Sequence, residues 1–356
     1  AIENDYTLDQ YEEELEKIRK KKRNYTPWQV AIGAGFACGG FCIQFGCDWV
    51  AFLYASIAAI LGMRLRQVCN ESGLNHYMGI AISAFVATII AWASTLLPAE
   101  WTSTPWHPLL ACALFIVPGV PLINFVDDML DNYIQVGIVR AVNTLLMVAA
   151  MAFGIAFAVK LCHIENFFPT ISMVPHHQYW EYAIAAAISA MGFSMIFNIQ
   201  RRLLWVVAIG GIIAVCTRNF VNLGPSTDNI GLDMGLVIGS FSGAVLVSLI
   251  AIKAVHWFHV PNHVLTIPSV IPMIPGVLMY RMLFGIININ VQSIDQVTPL
   301  MKAIESGVNS GLVIMCIALG VAIPNIFGRR FIASSKNKRL AELLKERKAR
   351  GKFVEW

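Results

Sequence analysis

Acidic and basic side chains border long apolar stretches of this sequence, where a charge is costly. Asp127 and Asp128 end one apolar run, Arg140 begins the next, and Glu305 lies near the start of another. A carboxyl group withdrawn from water holds its proton more tightly, so it can exchange protons near neutral pH. Arginine can bind a carboxylate through two parallel hydrogen bonds, or pair with Asp128. We predict that Asp127, Asp128 and Glu305 carry protons and that Arg140 binds substrate; helix capping is the alternative for the two aspartates.

Three asparagines near these charges could bind the polar groups of a small ligand: Asn124, Asn143 and Asn309. Asn143 and Asn309 lie in similar tripeptides, VNT and VNS. Amide side chains inside a membrane either bind solutes or form hydrogen bonds between helices. We predict substrate contacts for all three, and contacts between helices are the alternative for Asn143 and Asn309.

The cysteine and histidine residues do not predict a metal site or a cofactor. The most closely spaced sets are Cys38, Cys42 and Cys47, and His256, His259 and His263. The cysteines lie in an apolar run, where Cys packs as a small side chain, and Pro261 interrupts helical register among the histidines. The sequence also lacks a phosphate-binding loop and the common hydrolase motifs, so we predict neither an ATP-driven pump nor an enzyme.

The composition predicts a membrane protein. Hydrophobic residues make up 57% of the chain, charged residues 13%, and the mean hydropathy is +0.63. A soluble domain carries about 25% charged residues, so this chain cannot cover a water-facing surface of its size. The long continuous apolar runs indicate helices that cross a bilayer many times. The basic segments flank these runs, which favours contact with lipid headgroups over nucleic acid.

We predict an all-α polytopic protein of about ten membrane-spanning helices. The first five spans are 28–46, 48–65, 76–98, 108–126 and 136–160, and the second five are 180–198, 202–217, 232–254, 263–286 and 299–327. The chain then divides into a basic amphipathic segment (1–27), a first membrane repeat (28–160), an extracytoplasmic linker (161–179), a second membrane repeat (180–327) and a basic tail (328–356). Most Lys and Arg residues fall on the side of the two chain ends, which predicts cytoplasmic termini.

The two sets of five spans resemble each other. Gly40-Phe41 matches Gly192-Phe193, Pro118-Gly119 matches Pro275-Gly276, and the VNT and VNS tripeptides follow in the same order. Because five is odd, the second repeat must enter the membrane from the opposite side. Repeats of opposite orientation are typical of secondary transporters, and a duplicated scaffold without transport is the alternative.

Each repeat contains a proline- and glycine-rich interruption, in spans four and nine. Pro118 and Gly119 interrupt the first, and Pro275 and Gly276 interrupt the second. Proline removes a backbone donor and clashes with the preceding turn. Freed carbonyl groups survive in a membrane only inside protein or beside a water-filled cavity. A matched pair of broken helices predicts a substrate site at the breaks, and a simple proline kink is the alternative.

The sequence resembles the bacterial threonine/serine exporter family over about residues 8–328. The resemblance rests on five groups of residues: Phe41, Phe45-Gly46 and Asp48-Trp49; Pro118-Gly119-Val120-Pro121-Leu122; Asn124, Asp128, Gly137 and Arg140; Gly192-Phe193, Phe197-Asn198 and Arg202; and Ile271-Pro272 with Ile274-Pro275-Gly276. It implies a ten-span carrier of the bacterial inner membrane with both termini in the cytoplasm. It further implies export of threonine and serine driven by the proton motive force.

The resemblance leaves the substrate and the assembly open. Some members split the two repeats into separate proteins and are linked to dicarboxylate export, so a succinate-like substrate is the alternative. A passive channel and an embedded enzyme are further alternatives, and a homo-oligomer is left open. The resemblance implies an additional N-terminal cytoplasmic region, which this sequence does not include. It also leads us to expect an acid where Asn143 stands, which shifts the predicted proton coupling toward Asp128 and Glu305.

Overall fold

A computed structural model describes residues 8–98, 100–164, 177–225, 230–258, 260–287 and 297–349. These residues form α-helices joined by turns and short 3₁₀ segments, and no strand occurs among them. The predicted all-α class is therefore confirmed for the described part of the chain. Residues 165–176, the centre of the predicted linker, and residues 350–356 of the predicted tail lie outside it.

The helices follow one another in two series. The first series is α1 (Leu8–Lys20), α2 (Pro27–Gln44), α3 (Trp49–Glu71), α4 (His76–Trp92), α5 (Pro108–Ala111), α6 (Gly119–Leu130) and α7 (Ile134–Leu161). The second is α8 (Tyr179–Ile196), α9 (Leu204–Asn222), α10 (Leu236–Phe258), α11 (Asn262–Val270), α12 (Gly276–Ile287) and α13 (Val297–Ala349). The last helix continues from the predicted tenth span into the basic tail without interruption.

Six helices of the described residues are long and apolar enough to cross a membrane, and two bent pairs raise the number to eight. The protein is therefore a multi-pass helical membrane protein. The six are α3, α4, α7, α9, α10 and the part of α13 from Leu300 to Gly328. The predicted first and sixth spans, α2 and α8, have 18 residues each and are not among them. The predicted number of ten is thus not confirmed.

Helices α2 and α8 begin and end with the same local chemistry. Thr26 and Gln29 form a capping box at the start of α2, and Gln178 and Glu181 form one at the start of α8. Each box satisfies backbone N–H groups that have no partner in the first turn. Both helices end before a residue in the left-handed region, Gly46 (φ 88°) after α2 and Asn198 (φ 60°) after α8.

Helices α2 and α8 pack closely in antiparallel directions through their small residues. A Cβ atom added to Gly40 would lie 2.6 Å from the carbonyl oxygen of Ala185, and one added to Gly192 would lie 2.3 Å from that of Gly33. Between these contacts, Ser189 Oγ donates a hydrogen bond of 3.2 Å to the carbonyl of Ala37. Small residues at such crossings let two backbones approach, which is how membrane helices gain packing energy.

Candidate functional site

Both predicted interruptions are present as sharp bends. Helices α5 and α6 with their 3₁₀ link bend by 55°, and α11 and α12 bend by 61°. At the first bend, Pro118 has φ −78° and ψ 63°, and Gly119 N–H donates to the carbonyl of Val117 at 2.8 Å. These angles and this bond define an inverse γ-turn. At the second bend, Gly276 N–H donates to Ile274 in the same way at 2.8 Å.

The two bends pack against each other reciprocally. A Cβ atom at Gly119 would lie 2.8 Å from Ile274 Cδ1, and one at Gly276 would lie 2.7 Å from Leu114 Cδ2. Each break glycine therefore fits against the residues just before the other break. Phe41 and Phe193 meet beside them edge to face, with ring centroids 5.8 Å apart. The structure thus brings Pro118, Gly119, Pro275 and Gly276 together at the centre.

The space between the two bends is small and apolar. It measures about 10 Å³ and is lined by Phe41, Leu114, Val117, Gly119, Phe193, Ile271, Ile274 and Gly276. A single water molecule needs roughly that volume and two or more polar partners. The space between the bends is therefore too small for a solute in this conformation, and the substrate site at the breaks stays a prediction.

A charged cluster lies at the end of α6. Arg140 Nη1 on α7 is 2.6 Å from Asp128 Oδ2, and His263 Nε2 on α11 is 4.0 Å from Asp127 Oδ2. The carboxyl groups therefore link one broken helix to the following helix and to the other series. Asp128 lies more than two turns beyond Gly119, roughly 13 Å along α6 at 1.5 Å per residue. Of the two partners predicted for Arg140, the structure shows Asp128.

Three of the other predicted residues are exposed. Asn143 is exposed on α7, where its Oδ1 accepts a hydrogen bond of 2.7 Å from Tyr77 Oη of α4. Glu305 and Asn309 are exposed on α13, whereas Asn124 is half-buried on α6. Asn143 thus bonds a neighbouring helix, which was the alternative for it.

Two hydroxyl groups next to the predicted asparagines are buried instead. Thr144 follows Asn143 and Ser310 follows Asn309, and these side chains are 2% and 4% exposed. Neither hydroxyl oxygen has a hydrogen-bond partner among the described residues. The VNT and VNS tripeptides place a hydroxyl residue directly after each predicted asparagine, which is the sequence signal for these positions.

A second polar network lies at the turn between α2 and α3. Asp48 caps α3 by accepting from Ala51 N–H at 2.7 Å, and it also accepts from Thr102 Oγ1 at 2.7 Å and Ser103 N–H at 2.8 Å. Burial opposes ionisation of Asp48, but these hydrogen bonds outweigh it and hold the pKa of this carboxyl below its ordinary value. Sequence reasoning missed this role.

Buried His177 joins the start of α8 to the same turn. Its Nε2 lies 2.8 Å from the carbonyl oxygen of Cys47, and its Nδ1 lies 3.0 Å from Glu181 Oε2. No group of three metal-binding side chains occurs where the chain is described. His259 and the side chain of His256, which belong to the histidine set considered above, fall outside the described residues.

The fold defines the class of this protein as a multi-pass helical membrane protein with two broken helices. Residues 1–162 match a family model described as a threonine/serine exporter, and residues 182–327 match a second model, described as threonine/serine exporter, ThrE. The chain belongs to the threonine/serine exporter family. The family predicted from the sequence is therefore confirmed.

Curated relatives match part of the chain. The "Probable succinate transporter subunit YjjP" of Klebsiella aerogenes is 30% identical over 154 residues, which is 43% of this chain and 59% of the relative. The protein of the same name from Escherichia coli K12 is 31% identical over 137 residues, 38% of this chain and 53% of the relative. The matched region thus spans between half and two thirds of these relatives. No solved structure matches the chain significantly.

Proposed function

We propose that this protein is a secondary transporter that exports threonine, serine and similar small hydrophilic amino acids in exchange for protons. The reciprocal packing of the two bends is the observation that carries the proposal. Broken helices that face each other at the junction of two repeats are the usual location of a transporter's substrate site. The family to which the chain belongs supports export as the direction.

Two inverted repeats explain the contacts at the centre. When Phe41 is aligned with Phe193, the counterpart of Gly40 is Gly192 and the counterpart of Ala185 is Gly33. The contact between Gly40 and Ala185 is therefore equivalent to the contact between Gly192 and Gly33. A two-fold axis produces such an exchange. Since α2 and α8 are antiparallel, the axis must lie across the helices, that is, in the plane of the membrane. The reciprocal contacts of Gly119 and Gly276 support the same relation.

Ten spans follow if α2 and α8 also cross the membrane. Each is 18 residues long, about 27 Å at 1.5 Å per residue, which is close to the 30 Å of the hydrocarbon core. Their glycine and alanine residues reduce their hydropathy, but they face each other rather than lipid. Together with six long helices and two bent pairs they make ten.

Transport requires the two repeats to alternate between two arrangements. The bends are the natural place for movement, because a γ-turn replaces the helical hydrogen bonds there. Moving one repeat against the other would open the 10 Å³ space first to one side and then to the other. The buried hydroxyls of Thr144 and Ser310 would then have polar partners in the substrate or in water.

Proton coupling can work through the ion pair of Asp128 and Arg140. While Asp128 is ionised, its carboxylate forms an ion pair with the guanidinium group of Arg140, with Oδ2 2.6 Å from Nη1. Protonation of Asp128 would release Arg140 to bind the carboxylate of a substrate. Asp127, close to His263 of the second series, would couple the same event to the contact between repeats. Glu305 remains a proposed proton carrier at a separate position on α13.

We propose that the protein lies in the bacterial inner membrane with both termini in the cytoplasm. The distribution of basic residues supports this orientation. The proposed partners are the substrate, protons and lipid; a second copy of the chain is left open. The proposal does not include an enzymatic activity, because Asp127 and Asp128 are adjacent on one helix and point about 100° apart.

Small dicarboxylates are the second candidate substrate class. The printed names of the two curated relatives refer to succinate, and they call the protein a subunit. A protein that acts as a subunit needs a partner chain. This chain contains matches to both family models, so we propose that it supplies both repeats itself.

Counterflow in proteoliposomes tests the proposed function. Vesicles that contain the purified protein are loaded with threonine, serine or succinate, and entry of the labelled compound is followed with and without an imposed pH gradient. We expect threonine exchange that saturates and responds to the gradient. Exchange of succinate alone would establish the second candidate, and an ohmic current without saturation would contradict a carrier.

A further inference from the structure

Arg218 is a part-buried cation at the end of α9, far along the helix from the substrate site proposed above. Gly211, two turns earlier, packs against Ala186 of the antiparallel α8, so Arg218 lies beside the first turn of α8. The electrostatic interaction between Arg218 and Tyr182 agrees with this placement. On the other side, a Cβ atom at Gly239 of α10 would lie 2.6 Å from the carbonyl oxygen of Arg218. Helices α8 and α10 therefore flank this end of α9.

The charge of Arg218 has no acidic partner in the described part of the chain. Its Nε and Nη2 both donate hydrogen bonds of 3.1 Å to Asn219 Oδ1. This acceptor is a neutral amide oxygen and does not compensate the charge. None of the described carboxylates lies within 4.0 Å of the guanidinium. Glu181 is engaged by His177 and by the N–H of Gln178. An uncompensated charge among packed helices is costly, which points to a ligand of opposite charge.

Two neutral donors beside the guanidinium also lack acceptors within the described ranges of the chain. Asn219 is 4% exposed, and its Nδ2 has no hydrogen-bond partner among the described residues. A flip of the amide group would not satisfy Nδ2, because Arg218 needs the amide oxygen as its acceptor. Tyr182 is fully buried, and its Oη accepts from His177 N–H at 3.3 Å, which leaves its hydrogen for another acceptor.

We propose that Arg218, Asn219 and Tyr182 bind the carboxylate group of a small organic acid or amino acid. A guanidinium, an amide N–H and a phenol hydroxyl supply donors and one positive charge, which a carboxylate with two acceptor oxygens matches. The site lies at the end of the bundle where α9 ends and α8 begins. The proposal rests on the proposed function only for the choice of a carboxylate as the anion.

The first repeat contains a similar residue. Arg66 of α3 is the counterpart of Arg218 when the two repeats are aligned at Phe41 and Phe193. It is half-buried, and no acid of the described segments lies within 4.0 Å of its guanidinium either. If the repeats are inverted, the two arginines lie at opposite faces of the membrane. Each repeat would then have one arginine that can bind a carboxylate, at opposite faces of the membrane.

Equilibrium binding to the purified protein tests the proposal. Isothermal titration in nanodiscs would compare threonine and succinate with threoninol, which lacks the carboxylate. We expect the wild type to bind both carboxylates and not threoninol, and Arg218→Gln to weaken binding at least ten-fold. Arg218→Lys should retain part of the affinity. Arg202→Gln changes an exposed arginine that bonds Gln200, and it should leave affinity unchanged.

A second variant separates binding from folding. Asn219→Asp places a carboxylate where Arg218 already donates two bonds, so the protein should fold and remain stable while anion binding falls at least ten-fold. Unchanged affinity in folded Arg218→Gln or Asn219→Asp protein would overturn the proposal. Glu165→Gln and Asp228→Asn change acids outside the described residues. If one of these two variants lowered carboxylate affinity as much as Arg218→Gln does, that acid would be an internal partner of Arg218. The proposal would then also fail.

The outcome is independent of the transport assay. Carboxylate binding that depends on Arg218 would stand even if proteoliposomes showed no threonine exchange. Conversely, threonine exchange with unchanged binding in Arg218→Gln would leave the proposed function intact and remove this site.

Discussion

At the residue scale, the charged groups of this protein fall into two kinds. Asp128 and Arg140 compensate each other, and Asp48 is held by hydrogen bonds from neutral groups. Arg218 has no such compensation from described acids. In the proposed transport cycle Asp128 and Arg140 exchange partners, whereas the partner proposed for Arg218 is a carboxylate from outside the protein.

Removing the charge of Asp128 should stop coupled transport. In Asp128→Asn the guanidinium of Arg140 is permanently released, so the pH gradient can no longer control it. We expect gradient-driven threonine exchange to fall at least ten-fold in proteoliposomes, while the protein elutes and unfolds as the wild type does. Asp131→Asn, which changes the next acid along the chain, serves as control and should retain transport. Wild-type gradient dependence in Asp128→Asn would exclude Asp128 as a proton carrier.

The Asp48 network should stabilise the protein in a pH-dependent way. The folded-state pKa of Asp48 is lowered, so the network contributes stability above the ordinary pKa of about 4 and loses it as the pH falls through the lowered value. We expect Asp48→Asn to reduce stability by about 1–3 kcal/mol at pH 7, because it weakens several hydrogen bonds at once. Thermal unfolding in detergent would measure it. The gap between variant and wild type should narrow in acid; a gap that widens would contradict the assignment.

The sequence was sufficient to find the charged residues but not all their partners. The pairing of Asp128 with Arg140 was one of two alternatives, because both residues lie near the same loop. The contact of Asp127 with His263 joins residues from different repeats, and no local pattern reports it. The burial of Thr144 instead of Asn143 depends on the rotation of α7, which its apolar sequence does not fix.

At the element scale, glycine positions decide which helices can meet. The Cβ contacts show that α2 and α8 approach through Gly33, Gly40 and Gly192, and that Gly119 and Gly276 bring the two bends together. Proline and glycine in the same short segment also produce the bends, so the interruptions could be predicted from the sequence. Which bend packs against which could not, since that contact is long-range.

Adding one methyl group at the crossing of α2 and α8 should destabilise the protein. In Gly192→Ala the new Cβ would lie 2.3 Å from the Gly33 carbonyl oxygen, so the backbones must separate. We expect a loss of about 1–3 kcal/mol in unfolding measurements. Gly311→Ala on α13 meets no atom within 4 Å and is the matched control, expected to be neutral or slightly stabilising. Equal effects of the two changes would contradict the close approach of α2 and α8.

At the scale of the whole molecule, the proposed two-fold relation connects the paired observations. It relates the two capping boxes, the left-handed residues Gly46 and Asn198, and the two γ-turns at the bends. The family match and the apolar composition agree with a carrier. The number of spans could not be read reliably from hydropathy, because α2 and α8 are built from small residues that pack against protein.

Sided labelling measures the orientation of the repeats directly. Single cysteines are placed at Ser72, after α3, and at Gly224, after α9, in a background in which the eight native cysteines are replaced. A thiol reagent that cannot cross the membrane is then applied to intact cells and to inverted vesicles. We predict that position 72 reacts only from the cytoplasmic side and position 224 only from the outside. Reaction of both positions from the same side would show parallel repeats and contradict the proposed transporter architecture.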